Sequence, residues 1–234
     1  MRKFIFYLLL LTAISINAQE SYFTIYNFSV EPQNEATVYK LVNDYYSTNK
    51  TEGVTVSFYE NHFNDNGNNF THSIVFSGSF DDIGNMYSLG NNDAWNLFLT
   101  KVNQHIKEGF SSAMGTSIAS YGDVDTSHPV QKYILLHVED GDAFDAAYKV
   151  FNSKHNPDGR ISMMGNITAG QSPYGENRWV INGFKDFKAA IGGANKLLSE
   201  QAIEERGKGW DEFRSTHGGV TLVRTGLRVL LGQW

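Results

Sequence analysis

The sequence predicts an α+β protein built from one βαββαβ unit used twice, and three observations lead there. A pattern of strand, helix, strand, strand, helix, strand runs from about Tyr22 to Tyr121 and again from about Gln131 to Trp234. A constant offset of 107 residues relates the copies: it carries Phe80, read as closing a strand, to Phe187, and Ala113, read as opening the last strand, to Val220. The chain has no cysteine, so no disulfide can staple it, and its stability must come from a packed core. Two copies of about 100 residues are each of ordinary domain size.

The first copy opens with Tyr22 to Val30, an alternating run that Glu31-Pro32 ends. Asn34 is a helix N-cap, followed by Val38, Leu41, Val42 and Tyr45 at helical spacing. Val54 to Phe63 and Thr71 to Phe80 read as a hairpin about the Asn-rich loop Asn64 to Asn68. A polar stretch from Asp81 to Asn92 leads to a helix from Asp93 to Lys107, with Trp95, Phe98, Leu99 and Val102 on one face, and then a strand from Ser112 to Ser120. In the second copy Gln131 to Val138 is a strand, and Asp142 caps a helix through Phe151. Arg160 to Thr168 and Arg178 to Phe187 form the hairpin. Lys188 to Ser215 is helical with a break near Gly207 to Gly209, and Val220 to Leu231 closes the unit. The predicted units are residues 19–122 and 130–234, joined by a short polar linker at 123–129.

This order is the ferredoxin-like plan, in which a four-stranded antiparallel sheet carries both helices on one face. The bare face must be covered. Two tandem copies packed sheet to sheet would cover it as an intramolecular α+β barrel. In topology and repeat length, over nearly the whole chain after its first residues, the pattern resembles the dimeric α/β-barrel superfamily. That group includes antibiotic biosynthesis monooxygenase-type proteins, stress-responsive barrel proteins and, in tandem form, chlorite dismutase and dye-decolourising peroxidase.

The N-terminus reads as an export signal: Arg2 and Lys3, an apolar run from Phe4 to Ile16, and a cleavage site at Ile16-Asn17-Ala18. Residues 1–18 would be removed, leaving an exported protein, periplasmic or extracellular, with no membrane association after cleavage. Asn27, Asn49, Asn69 and Asn166 stand in Asn-x-Ser/Thr triplets, which a eukaryotic secretory route could glycosylate. The formal charge of −6 offers no basic face for nucleic acid. Without thiols there is no cysteine nucleophile, thiolate metal site or iron–sulfur cluster. No metal spacing, phosphate loop or Gly-x-Ser-x-Gly is present.

Strand parity suggests which face carries a site. Ile134, Leu136 and Val138, Ile74 and Phe76, Trp179 and Ile181, and Val223, Leu227 and Val229 form an apolar parity assigned to the helices. The mixed parity is assigned to the barrel interior. It holds Asn27, Ser29, Ser57, Tyr59, Asn61, Ser73, Ser77, Tyr133, His137, Met164, Asn166, Asn182, Arg224 and Arg228. Buried polar groups need partners, and either a bound ligand or ordered water supplies them.

The first functional expectation is an exported barrel that binds a small apolar or aromatic ligand, or a partner, with no cofactor. Tyr59, Asn61, Tyr133 and Asn182 are its candidate ligand-binding residues; a homo-oligomer is left open. The resemblance implies two alternatives. One is a cofactor-independent monooxygenase or isomerase, with His137 as base, Asn182 and Tyr59 orienting the substrate and Arg224 stabilising charge. The other is a haem-binding barrel with an axial histidine and a distal arginine. The chain lacks the peroxidase-type Gly-x-x-Asp-Gly motif, which Glu139-Asp140-Gly141-Asp142 does not match.

Overall fold

The computed structural model describes residues 21–64, 67, 69–88, 90, 92–123 and 127–234. The proposed export signal, part of the Asn-rich loop and part of the linker lie outside these residues.

Among the described residues are eight strands: β1 (Ser21–Val30), β2 (Thr55–Phe63), β3 (His72–Gly78), β4 (Ile106–Tyr121), β5 (Val130–Val138), β6 (Arg160–Ala169), β7 (Arg178–Phe184) and β8 (Val220–Gln233). The α-helices are α1 (Glu35–Thr48), α2 (Phe80–Ser88), α3 (Asp93–Asn103), α4 (Gly141–His155), α5 (Phe187–Gly192) and α6 (Glu200–Thr216). The strands close into an antiparallel barrel in the order β1-β3-β2-β8-β5-β7-β6-β4. Each copy contributes the expected four strands, β4-β1-β3-β2 and β8-β5-β7-β6. The two sheets also meet at their edges, where β2 pairs with β8 and β4 with β6. Among the described residues closure leaves no strand edge unpaired, which removes the usual route to edge-to-edge aggregation.

The helices cover the outside. In the first copy Val38, Val42 and Tyr46 of α1 and Phe98 and Val102 of α3 bury against Phe28, Phe58 and Phe76 of the strands. In the second, Phe144, Tyr148 and Phe151 of α4 and Phe213 of α6 pack on Leu136, Met164 and Val180. Arg178 on β7 reaches Asp145 on α4 with Nε 3.0 Å from Oδ1, which ties the sheet to its helix. The last residue couples the copies: Trp234 exchanges backbone hydrogen bonds with Val56 and lays its ring by Tyr46.

Several boundaries differ from the sequence reading. Phe80 and Phe187 do not close strands; each is the first residue of a helix, α2 and α5. The reason lies one residue earlier. The Ser79 hydroxyl oxygen accepts from the Asp82 N–H, and the Asp186 carboxylate accepts from the Ala189 N–H, so both positions are N-caps that stop the strand. They are also 107 residues apart, and the repeat register holds. Helix α2 replaces the expected polar loop. Strand β4 begins at Ile106, earlier than the expected Ser112. The cap of α4 is Asp140, whose carboxylate accepts from Ala143 N–H at 3.0 Å, not Asp142.

The expected break at Gly207 to Gly209 is also absent, since α6 runs through it. The helical region is interrupted instead between Gly193 and Leu198. Gly209 serves close packing: a Cβ there would lie 2.3 Å from the His155 ring on α4.

Because β2 and β4 find their partners in the other copy, either half alone would expose two strand edges. Residues 19–122 expressed alone are expected to aggregate or self-associate, and co-expression with 123–234 should restore a soluble one-to-one species. Size-exclusion chromatography with light scattering reads this. A stable, well-folded monomer of 19–122 would contradict it.

Candidate functional site

The barrel is not filled by its own side chains. Between the two inner faces lies a chamber of about 630 Å³, within the range typical of small-molecule sites. Its apolar wall is built from both copies. Phe23 and Ile25 come from β1, Val75 from β3, Leu135 from β5, and Trp179 and Ile181 from β7. Phe23 meets Trp179 edge to face, with ring centroids 5.5 Å apart and planes at 86°. The Trp179 indole N–H donates to the Asn166 carbonyl at 3.2 Å, which fixes the ring. Gly165 makes room for it: a Cβ there would meet the indole at 2.6 Å. Nearer one end, Phe70 and Phe110 pack at 5.4 Å.

Polar groups interrupt this wall in two places. A hydrogen-bonded belt crosses β2, β3, β1 and β4. Asn61 Nδ2 donates to Ser73 Oγ at 3.1 Å, Ser73 Oγ donates to Asn27 Oδ1 at 2.7 Å, and Asn27 Nδ2 donates to Ser111 Oγ at 3.0 Å. The belt leaves Asn61 Oδ1 buried without a hydrogen-bond partner among the described residues. The second polar region centres on Arg228, opposite Asn61 in the β2–β8 register and Gln131 in the β5–β8 register. Its Nε and Nη2 both donate to Gln131 Oε1, at 3.1 and 3.0 Å. Its guanidinium lies over the Tyr59 ring, 3.9 Å from the centroid. Burial pushes its pKa down from the usual arginine value. Tyr133, beside it, donates its hydroxyl to Asn64 Oδ1 at 2.9 Å.

The nominated residues therefore separate. Asn61, Tyr133 and Arg224 line the chamber. Tyr59 is inside the barrel but lies beneath Arg228 rather than on the open wall. His137 has the inward parity but sits exposed at the rim, with Nδ1 2.8 Å from the Gly175 carbonyl oxygen. Asn182 is on the opposite face: its carbonyl oxygen accepts from Arg160 and Ser162 in a buried polar cluster under α4, where Tyr148 also bonds Ser162 at 2.7 Å. Met164 and Asn166 likewise belong to the outer face, and Trp179 and Ile181 to the chamber. Parity failed on β6 and β7 because both faces of these strands are covered and apolar, so hydrophobicity does not separate them.

Sequence reasoning missed Phe23, Ile25, Gln131 and Trp179. The first two share the parity of Asn27, and Gln131 that of Tyr133, so alternation carried that signal. For Trp179 the signal was the small residue required opposite it, which only the pairing with Gly165 reveals.

A haem held by an axial histidine does not fit this lining. Among the described residues no histidine faces the chamber. His155 stands instead in a separate cleft of about 280 Å³ between α4 and α6, crowded by Phe151 and Phe213. Among the described residues no cluster of three or more His, Asp or Glu side chains is arranged to hold a metal ion.

No protein-family model matches the sequence, and no curated protein matches it. Solved structures do match. A candidate monooxygenase from Fusobacterium nucleatum subsp. nucleatum superposes with a TM-score of 0.59 at 14% identity, covering 92% of this chain and 94% of that one. An anthrone oxidase-like protein gives 0.57 at 9% identity, over 93% and 94%. A candidate chlorite dismutase gives 0.51 at 8% identity, over 91% and 95%. Likeness at such identities speaks to architecture. The chain shares with them a ferredoxin-like α+β barrel fold, with both halves of the barrel supplied by one polypeptide.

Proposed function

We propose that the protein binds a small, largely apolar or aromatic molecule inside the barrel. The observation that carries this is the 630 Å³ chamber, walled by aromatic and aliphatic side chains from both copies and broken by a few placed polar groups. Such a space suits a ligand of roughly two or three fused rings. Tyr133, Asn61 and Arg224 are the groups that would orient it. Filling the chamber tests the reading. Ile181→Trp should weaken binding of neutral two- and three-ring aromatic probes at least tenfold, with the circular dichroism spectrum unchanged. Quenching of Trp179 fluorescence in the unsubstituted protein reports the binding itself. Equal affinity in the filled variant would place the ligand elsewhere.

A second reading is that the chamber turns its ligand over, as a cofactor-independent monooxygenase or isomerase. Its support is a largely apolar space with guanidinium groups on the wall, where an enolate or phenolate would be stabilised. Arg224 keeps its place in that scheme. His137, at the rim, has no position from which to act as base on a molecule deep in the chamber. Oxygen consumption with electron-rich phenolic substrates separates turnover from binding alone. We further propose that residues 1–18 are cleaved on export; intact-mass measurement of the secreted protein should give an N-terminus at Gln19.

A further inference from the structure

Resting on the reading of the chamber as a ligand site, we infer that its ligand is an aromatic acid whose carboxylate docks on Arg228. Arg228 is 6% exposed and lies on the chamber wall. Two of its three nitrogens are held by a single neutral oxygen, Gln131 Oε1. Its third nitrogen, Nη1, has no hydrogen-bond partner among the described residues, and no described carboxylate lies within ion-pair distance of the group. The wall does carry a carboxylate, Glu176, but its Oε1 accepts from Ser172 N–H and its Oε2 from Ser172 Oγ, which commits it to the β6–β7 loop.

A buried cation with no counter-charge is costly, and native proteins pair such groups or leave them to meet a charged ligand. The fork of the guanidinium is fixed in advance. Tyr59 holds its plane from below and Gln131 holds one edge, so the remaining donor is presented without further ordering. Burial lowers the arginine pKa from its usual value, yet an arginine stays charged at neutral pH, so the positive charge is permanent. A carboxylate matches this donor in charge and planarity. The aromatic wall, with Phe23 and Trp179 edge to face, then takes the body of the molecule. Arg224 lines the same space.

The test compares 2-naphthoate with its neutral isostere, 2-naphthamide, by titration calorimetry at pH 7. Native protein should bind the acid at least tenfold more tightly than the amide, a difference of about 1.4 kcal/mol. Arg228→Gln should erase that preference while leaving amide affinity within about twofold, which also shows that the chamber is intact. Arg228→Lys, which keeps the charge and loses the fork, should retain part of it. Raising the salt concentration should change the amide affinity little and weaken the acid. Equal binding of acid and amide to the native protein would overturn the anion inference and leave chamber binding standing. A preference that survives Arg228→Gln but vanishes in Arg224→Gln would move the anion to the other arginine and overturn the assignment. If neither probe binds the native protein, the reading of the chamber falls, and this inference falls with it.

Discussion

Phe58→Ala is expected to destabilise the fold by about 3–5 kcal/mol, the usual range for deleting a fully buried aromatic ring. Phe58 has no solvent exposure. It lies on the outer face of β2, where Val38 and Val42 of α1 belong to the same cluster. Its ring stacks on His72 at 5.3 Å and on Phe28 at 6.2 Å. Three strands and a helix converge on that stack, so the site has little freedom to collapse around the void. Urea denaturation of the native and substituted proteins measures the difference. Ile181→Ala makes the instructive comparison. It removes an aliphatic side chain from the chamber wall, widens a space that already exists, and should cost markedly less. Equal losses at the two positions would mean that the chamber is packed as tightly as the helix-facing core.

His72 is expected to make the protein acid-labile over a defined window. The residue is 1% exposed, packed against both Phe58 and Phe28 in a cluster of three near-parallel rings, with Nδ1 2.8 Å from Thr71 Oγ1. Burial lowers its pKa to about 4. An unfolded histidine titrates near ~6.5. Between these values the unfolded chain takes up a proton that the native state refuses, so stability falls as the pH drops from about 6.5 towards 4. The contribution lost is on the order of 3 kcal/mol. His72→Phe keeps an aromatic ring in the stack and should remove this portion of the pH dependence, leaving that of the carboxylates. Denaturation midpoints at pH 7, 5.5 and 4 for both proteins test it. Parallel pH curves would show that His72 takes up its proton equally readily in the folded and unfolded states.

Much of the architecture is legible in the sequence because its signals are local. The alternation of Tyr22 to Val30 and the helical spacing of Val38, Val42 and Tyr45 each arise within a few residues, and the 107-residue offset preserves them in both copies. Even where a boundary was misread, as at Phe80 and Phe187, the register survived, since Ser79 and Asp186 cap helices at matching positions. The candidate site was legible only in part. Asn61, Tyr133, Arg224 and Arg228 keep the inward parity expected of them. Asn182 does not, and Trp179 crosses to the chamber, because on β7 a large apolar residue is equally at home beneath a helix or on the chamber wall. His137 shows a different failure: parity assigns it to a face and says nothing of its depth along the barrel.

What the sequence alone determined, then, is the two-copy α+β plan and the need for each copy to cover its bare face. Periodicity and duplication specify these without knowledge of any distant contact. The tertiary structure decided the rest. Pairing of β2 with β8 and of β4 with β6 converted two sheets into one closed wall, and hydrogen bonds between residues far apart in the chain set that register. The same closure left a chamber open and put Arg228 against it beside Gln131, Tyr59 and Tyr133, with no carboxylate of the described residues in ion-pair reach. Charge isolation of that kind depends on which side chains fail to arrive, and no local pattern in the chain records it.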